Sequence, residues 1–233
     1  MIIIKIFMDS SPTASLDAGI AALTDEKMKA EALVNKELFE KFFPMFESDV
    51  WKKSEESDDK TVTSYAGKMD DGKLMGKGIG HIPFKPEKIY KFYLKLENKP
   101  LYDEHFMDGK IFDKVVDKTN NCEFFNSWMK RGNVKVIQPR DSVNAYAKFY
   151  IGDAIYLVAH SITHPDYPET PDAVRAVLDF LVAEWKPGAD GKGCTFSRIF
   201  RADPKGSIPD FVKNLVIKRS GMEMIDLRKA MLE

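Results

Sequence analysis

The side chains best suited to chemistry are concentrated in HSITHPDYPETPDAVRA, residues 160 to 176. Its first part brings together His160, Ser161, His164 and Asp166, the residue types of catalytic triads and zinc sites. However, HSITH continues the β-branched run AIYLVAHSI, and residues four apart on a strand are separated by roughly 13 Å. A zinc ion bonded at about 2 Å cannot span that distance, so the spacing favours structural histidines over a metal site or a triad.

The same segment carries three prolines, Pro165, Pro168 and Pro171. Each proline removes a backbone donor and fixes φ, which predicts a stiff loop rather than a central strand. Arg175 follows between apolar residues in AVRAV, and two interpretations stay open for it at this point. Its stem can lie on apolar surface with the head in water, or its guanidinium can face the interior opposite an anion.

Motifs of common enzyme classes are missing from the sequence. It contains no phosphate-binding glycine loop, nucleophile elbow or HExxH helix. The glycines of GKGIG, residues 76 to 80, alternate along a strand-like run, which favours strand bending or the close approach of a neighbour. We therefore expect no catalytic residue, no metal and no cofactor. If the chain were an enzyme, His160 and Asp179 would be the candidate acid and base.

Charge and cysteine content restrict the partners and the compartment. Lysine and arginine number 35 against 36 acidic residues, so no overall field attracts nucleic acid, and we expect no such partner. Two cysteines, Cys122 and Cys194, are too few for a disulfide framework and are typical of a reducing compartment. The apolar start MIIIKIFM is short and lacks a cleavage site, and no run reaches the roughly 20 residues of a membrane span. The sequence predicts a cytoplasmic protein whose membrane contacts are peripheral.

The hydrophobic patterns are interpreted as a single domain over residues 1–233. They predict the following order: a tail or extra strand (1–14), an N-terminal helix (15–47), strands (49–203) with inserted helices near 85–106, and a C-terminal helix (207–231). This order indicates an α+β fold in which a curved antiparallel sheet buries its inner face against the last helix. A sheet of about nine strands curls, and one helix fills the enclosed space poorly, so we expect an internal cavity.

Several short motifs, taken in order, resemble the START (StAR-related lipid-transfer) family over about residues 50 to 231. They are Trp51, Asp103, PRD at 139–141, HSITHP at 160–165, AVRA at 173–176 and DPKGSIPDFVKN at 203–214. The resemblance implies a helix-grip fold, in which the curved sheet wraps around a long C-terminal helix and encloses a tunnel for one lipid. It also implies that the proline loop lies beside the tunnel mouth and that the C-terminal helix serves as a lid.

The segment YLKLENKPLYD, residues 93 to 103, is similar to the phosphatidylcholine-transfer branch of that family. This similarity implies that Tyr93 and Lys99 contact the phosphate of a ligand, with Asp103 beside them. The alternative is a core tyrosine and a solvent-exposed lysine. Where the sterol-binding branch has an arginine and an acidic partner, this chain has Tyr146 and Ser127, whose neutral hydroxyls could contact a ligand head.

The resemblance adds an interior role for Arg175 to this set of expected ligand contacts. It implies a lipid-binding protein without enzymatic activity that carries one lipid, a phospholipid rather than a sterol, and touches membrane surfaces transiently. Two alternatives stay open. The chain could be a helix-grip enzyme of the aromatase or cyclase type, or a module whose protein interactions depend on bound lipid.

Overall fold

The computed structural model describes residues 11–132, 137–188, 191–209, 217, 219 and 221–233. Its helices are α1 (Ala14–Ala22), α2 (Glu26–Phe42), α3 (Pro86–Leu94) and α4 (Glu223–Leu232), with 3₁₀ helices at Phe43–Glu47 and Leu96–Leu101. Its strands are β1 (Lys52–Glu56), β2 (Val62–Lys68), β3 (Leu74–Ile82), β4 (Phe106–Asp117), β5 (Cys122–Arg131), β6 (Arg140–Ile151), β7 (Ala154–Ser161), β8 (Val174–Arg175), β9 (Val177–Pro187) and β10 (Cys194–Asp203). None of the helices in these ranges is long and apolar enough to cross a bilayer.

The strands form one curved sheet in the order β1-β2-β3-β10-β9-β7-β6-β5-β4, and every neighbouring pair along it is antiparallel. The two-residue strand β8 pairs with β6 in parallel, off this path. Short turns between alternating strands favour this antiparallel arrangement. The predicted α+β class with a curved antiparallel sheet and a C-terminal helix is confirmed.

Alternation along the strands gives the sheet two buried faces. The inner face packs against α3 and α4, and its core includes Phe125, Tyr146, Trp185, Phe196 and Met224. The outer face packs against α1 and α2, and its core includes Phe39, Phe124, Phe149, Tyr156 and Phe180. Because both faces are covered, the strands between the edges carry buried apolar side chains on both sides.

The N-terminal helix predicted for residues 15–47 is divided in the structure. Leu23 follows α1 in an extended conformation, and Asp25 then caps α2 by accepting a hydrogen bond from the Met28 N–H at 2.7 Å. An aspartate at this position satisfies an otherwise unpaired N–H and so favours the start of a new helix. The remaining residues, Phe43–Glu47, form a 3₁₀ helix that contains a proline in its first turn.

The predicted C-terminal helix, 207–231, is interrupted at Gly221. The Gly221 N–H donates to Ser64 Oγ at 2.8 Å, and a Cβ at this position would lie 2.9 Å from the Thr63 carbonyl oxygen. Gly221 therefore passes too close to β2 to continue a helix, and α4 begins at Glu223. Residues 210–216, 218 and 220 of the predicted helix and residues 1–10 of the predicted tail or extra strand lie outside the described residues.

Candidate functional site

A cluster of charged side chains lies on the inner face of the sheet. Arg198 Nη2 of β10 is 2.8 Å from Glu223 Oε2 of α4, and Arg131 Nε of β5 is 2.8 Å from Asp103 Oδ2. Lys99, in the 3₁₀ helix Leu96–Leu101, is only 2% exposed. Three cations against two carboxylates leave one positive charge in excess within a largely apolar interior.

Strand alternation positions the two arginines. Arg198 is in phase with Cys194 and Phe196 of the inner core, and it lies opposite Gly78 of β3. On the same face of β3, a Cβ at Gly80 would lie 2.9 Å from Met224 Sδ, so the glycine allows α4 to approach the sheet. This is the close approach of a neighbour that the spacing in GKGIG indicates.

The Lys99 ammonium has no ion pair or hydrogen bond with the residues described here. Its Nζ lies 4.1 Å from the Tyr93 ring centre and 4.9 Å from that of Tyr102, so two aromatic rings partly compensate its charge. Burial lowers the pKa of Lys99 to about 8. At neutral pH Lys99 is thus still a cation, but it loses its proton at a lower pH than an ordinary lysine does.

Glu223 is the carboxylate that α4 contributes to the cluster. Burial on its own would raise the pKa of Glu223, but the charges of Arg198, Lys99 and Arg131 lower it to about 2. Its carboxylate is therefore ionised at neutral pH. One oxygen, Oε1, is buried and has no hydrogen-bond partner among the described residues.

Arg131 is paired with Asp103 and is partly accessible. Burial on its own would lower the pKa of its guanidinium, but the charges of Asp103 and Glu223 raise it, and 42% of its side-chain surface is accessible. Asp103 pairs with this arginine and is itself mostly buried, so its contact with a ligand would pass through Arg131.

Aromatic side chains surround the charged cluster. Tyr93 stacks on Tyr102 with ring centres 5.8 Å apart, and Trp185 stacks on Phe196 at 4.6 Å. The Tyr93 hydroxyl accepts a hydrogen bond from Arg198 Nη1 at 3.4 Å, and burial raises the pKa of this tyrosine to about 12. The Tyr102 hydroxyl donates to the Tyr93 carbonyl, which fixes the start of the segment that carries Lys99.

The expected neutral contacts, Ser127 and Tyr146, also lie on the inner face. Tyr146 stacks on Phe125 with ring centres 4.7 Å apart. Ser127 Oγ is fully buried and has no partner within the described part of the chain, and the same is true of Trp185 Nε1. Buried hydroxyl and indole groups normally find a partner, so these two donors are available to a bound molecule.

Arg175 does not occupy the interior position that the resemblance implies. Its Nε and Nη2 donate to the two carboxylate oxygens of Asp141 at 2.9 and 3.0 Å, on the outer face of β6. Nη2 also donates to the carbonyls of Tyr167 and Pro168 at 3.0 and 3.2 Å. The bidentate pair and the two carbonyl contacts anchor the proline loop, so the prediction that Arg175 faces a ligand is wrong.

His160 and Asp179, the candidate acid and base of the enzyme alternative, are each paired with other side chains and do not join the charged cluster. His160 Nε2 lies 2.8 Å from Glu31 Oε2, and its Nδ1 lies 2.9 Å from Asn35 Oδ1, which joins β7 to α2 on the outer face. Asp179 is paired with Arg201 Nε at 2.8 Å. His164 contacts Asp113, so the two histidines of HSITH do not converge, as their spacing predicts.

Sequence reasoning missed three residues of the cluster: Arg131, Arg198 and Glu223. For the arginines a signal existed, because both are in phase with the apolar residues of the inner face on their strands. For Glu223 there was none, because its position depends on the turn at Gly221 that starts α4.

The family model of the START domain matches residues 44–233. START domain-containing protein 10 of Mus musculus and that of Homo sapiens are each 31% identical over 131 residues, which cover 55% of this chain and 42% of each relative. The chain thus matches less than half the length of these relatives.

Solved structures of similar shape include human StAR-related lipid transfer protein 5, with a TM-score of 0.76, 20% identity, and coverage of 87% of this chain and 97% of that one. Human STARD10 has a TM-score of 0.69 at 22% identity and covers 83% and 78%. The human StarD13 (DLC2) lipid transfer and protein localization domain has a TM-score of 0.64 at 20% identity and covers 84% and 94%. These likenesses confirm the helix-grip fold, and the match of the family model shows that the chain belongs to the START domain family.

Proposed function

We propose that this START domain binds one lipid between the inner face of its sheet and α4 and carries it between membranes. The bound lipid is a phospholipid rather than a sterol. The observation that carries the proposal is the buried Lys99 ammonium, which lacks an anion of its own within an apolar interior. A desolvated cation is costly unless it is paired, and a lipid phosphate would supply the missing charge.

The apolar surroundings of the cluster suit the acyl chains. Buried methylenes contribute about 0.8 kcal/mol each, so a chain of about 16 carbons gains on the order of 13 kcal/mol when it leaves water. Spontaneous crossing between bilayers is slow for the same reason. A protein interior lined by side chains such as Leu157, Leu181 and Leu227 replaces the lost burial during transfer, and no bond has to be made or broken.

The polar groups suit a phospholipid head. Lys99, Arg131 and Arg198 can donate to phosphate oxygens, and the Tyr93 hydroxyl lies beside Arg198. A sterol offers one neutral hydroxyl, which would leave the excess positive charge uncompensated. The Ser127 hydroxyl and the Trp185 indole can donate to ester carbonyls, and in this proposal Asp103 positions Arg131 rather than touching the lipid.

Membership of the START family supports this class of ligand, since two of the similar solved structures are named for lipid transfer. The proposal includes a cytoplasmic location and transient contact with membrane surfaces, as a carrier requires. Loading and release also need part of the enclosure to open, and α4 is the element that closes the inner face.

Native mass spectrometry of the protein as isolated, followed by a vesicle assay, tests the proposal. We expect a mass increment of one phospholipid per chain and faster transfer of labelled phosphatidylcholine than of labelled cholesterol between vesicles. Protein that carries no lipid and moves neither label would overturn the carrier function. Cholesterol transfer at the higher rate would overturn the choice of phospholipid.

A further inference from the structure

A groove opens between α3 with its following 3₁₀ helix and the strands β4 and β5. This α3–β4 groove encloses about 490 Å³. Tyr90, Leu94, Ile111 and Phe125 give it an apolar floor, and all four also belong to, or pack against, the core of the inner face. The floor of the groove is therefore formed by side chains of the inner face, beside the place that would hold a lipid.

Lysines surround this floor. The lining contains Lys91, Lys95, Lys110 and Lys114 against Glu97 and Glu123, so four lysines against two glutamates leave two positive charges in excess. Lys114 is paired with Glu123 at 3.0 Å. The other three lysines are exposed and make no ion pair with a described residue. This local excess stands out in a chain whose net charge is −1.

We propose that the α3–β4 groove is the surface by which the protein docks on membranes that contain anionic lipids. Unpaired lysines around an apolar floor match the chemistry of such a surface, where phosphate and carboxylate groups lie above the acyl region. The inference rests on the proposed function in one respect, because docking here would place the bilayer directly against the wall of the lipid site.

The charges of the lysines determine how strongly the protein binds anionic membranes and how this binding depends on salt. Each lysine near an anionic bilayer strengthens binding roughly fivefold, so three lysines together contribute on the order of a hundredfold. The attraction is screened over about 8 to 10 Å at physiological ionic strength, so binding falls steeply with added salt. Vesicles of zwitterionic lipid alone bind the protein weakly.

Co-sedimentation of the full chain with vesicles tests the proposal. The vesicles contain phosphatidylcholine with or without phosphatidylserine. The groove variant K91Q/K95Q/K110Q is compared with a control variant, K27Q/K52Q/K68Q, which removes three exposed lysines of α2, β1 and β2 and has the same net charge. We expect the groove variant to lose most of its binding to phosphatidylserine vesicles and the control variant to retain it.

Equal loss of binding in both variants, or unchanged binding of the groove variant, would overturn the docking surface. Bound lipid is measured in the same samples by native mass spectrometry. A groove variant that keeps its phospholipid but no longer binds vesicles supports docking, because the interior site is intact. If the wild-type protein carries no lipid yet binds phosphatidylserine vesicles through these lysines, the docking surface stands and the carrier function fails.

Discussion

Lys99 is the residue on which the ligand assignment depends. A lysine in the segment ENKPL is solvent-exposed by default, but this one is held between the rings of Tyr93 and Tyr102 and is 2% exposed. Aromatic faces compensate a cation only in part, and the nearest carboxylates are already paired with arginines. On the proposed function, we therefore expect Lys99 to destabilise the lipid-free protein and an anionic ligand to relieve this cost.

Substituting Lys99→Met tests this role. The methionine fills similar volume without charge, so we expect at least tenfold weaker phospholipid binding and an unchanged or raised melting temperature of the lipid-free protein. The control is Lys77→Met, which removes a buried lysine of the outer face that donates to the Phe46 carbonyl. It should lower the melting temperature and leave binding intact. Full phospholipid loading of the Lys99→Met protein, measured by native mass spectrometry, contradicts the assignment.

The pH dependence of stability and of binding follows from the same lysine. Burial lowers its pKa from 10.5 to about 8 in the folded chain, so between these values the unfolded chain binds more protons. The free energy of unfolding of the lipid-free protein should therefore rise with pH across this window, and phospholipid affinity should fall as pH passes 8. Denaturant unfolding and lipid binding measured against pH check both signs. The Lys99→Met protein provides the baseline, and parallel curves for the two proteins would refute the prediction.

The contributions of sequence reasoning differ among the site residues. The family resemblance led us to expect Tyr93, Ser127 and Tyr146 at the ligand, and all three lie on the inner face. Arg175 was misplaced because its strand, β8, is two residues long and pairs with β6 in parallel, so a neighbouring pattern could not fix its face. A shift of one residue in a strand exchanges inner and outer faces.

Arg175 has its effect at the level of an element, the proline loop. Replacing it with methionine leaves the Asp141 carboxylate buried without its guanidinium, which should cost about 3 kcal/mol of stability. Loop amides near Tyr167 and Pro168 should exchange hydrogen faster. Adding Asp141→Asn to this variant removes the uncompensated charge and should restore part of the lost stability. Denaturant unfolding and hydrogen exchange provide the measurements, and unchanged loop protection would refute the anchor.

The elements were predictable to different degrees. Alternating strands and the amphipathic stripe of α3 are local signals, and the strands lie in the alternating runs. The break at Asp25 is local, whereas the break at Gly221 depends on tertiary structure. One is a side-chain cap inside an otherwise helical pattern, and the other is a close approach to β2. Hydrophobic spacing continues across both positions and therefore predicts helices that are too long.

At the scale of the whole molecule, charge is distributed in a way that composition hides. A net charge of −1 coexists with an excess of positive charge in the interior cluster and around the α3–β4 groove. Composition correctly gives no expectation of an overall field, but it carries no information on patches formed by folding. An unpaired interior cation next to a groove edged by exposed lysines is consistent with passing an anionic head group from a membrane to the site.

Removing the lipid should destabilise the entire molecule. A ligand that binds only the folded state stabilises it by about 3 to 4 kcal/mol when present at 100 to 1,000 times its dissociation constant. Lipid-free protein should therefore melt several degrees lower, because the charged cluster then lacks its counter-charge and the inner apolar surface loses its contacts with the lipid. Adding back phosphatidylcholine should restore the melting temperature, whereas cholesterol should not, since its hydroxyl cannot neutralise Lys99. A melting temperature that is the same with and without lipid would mean that the interior contributes no binding energy, and the carrier function would then lose its physical basis.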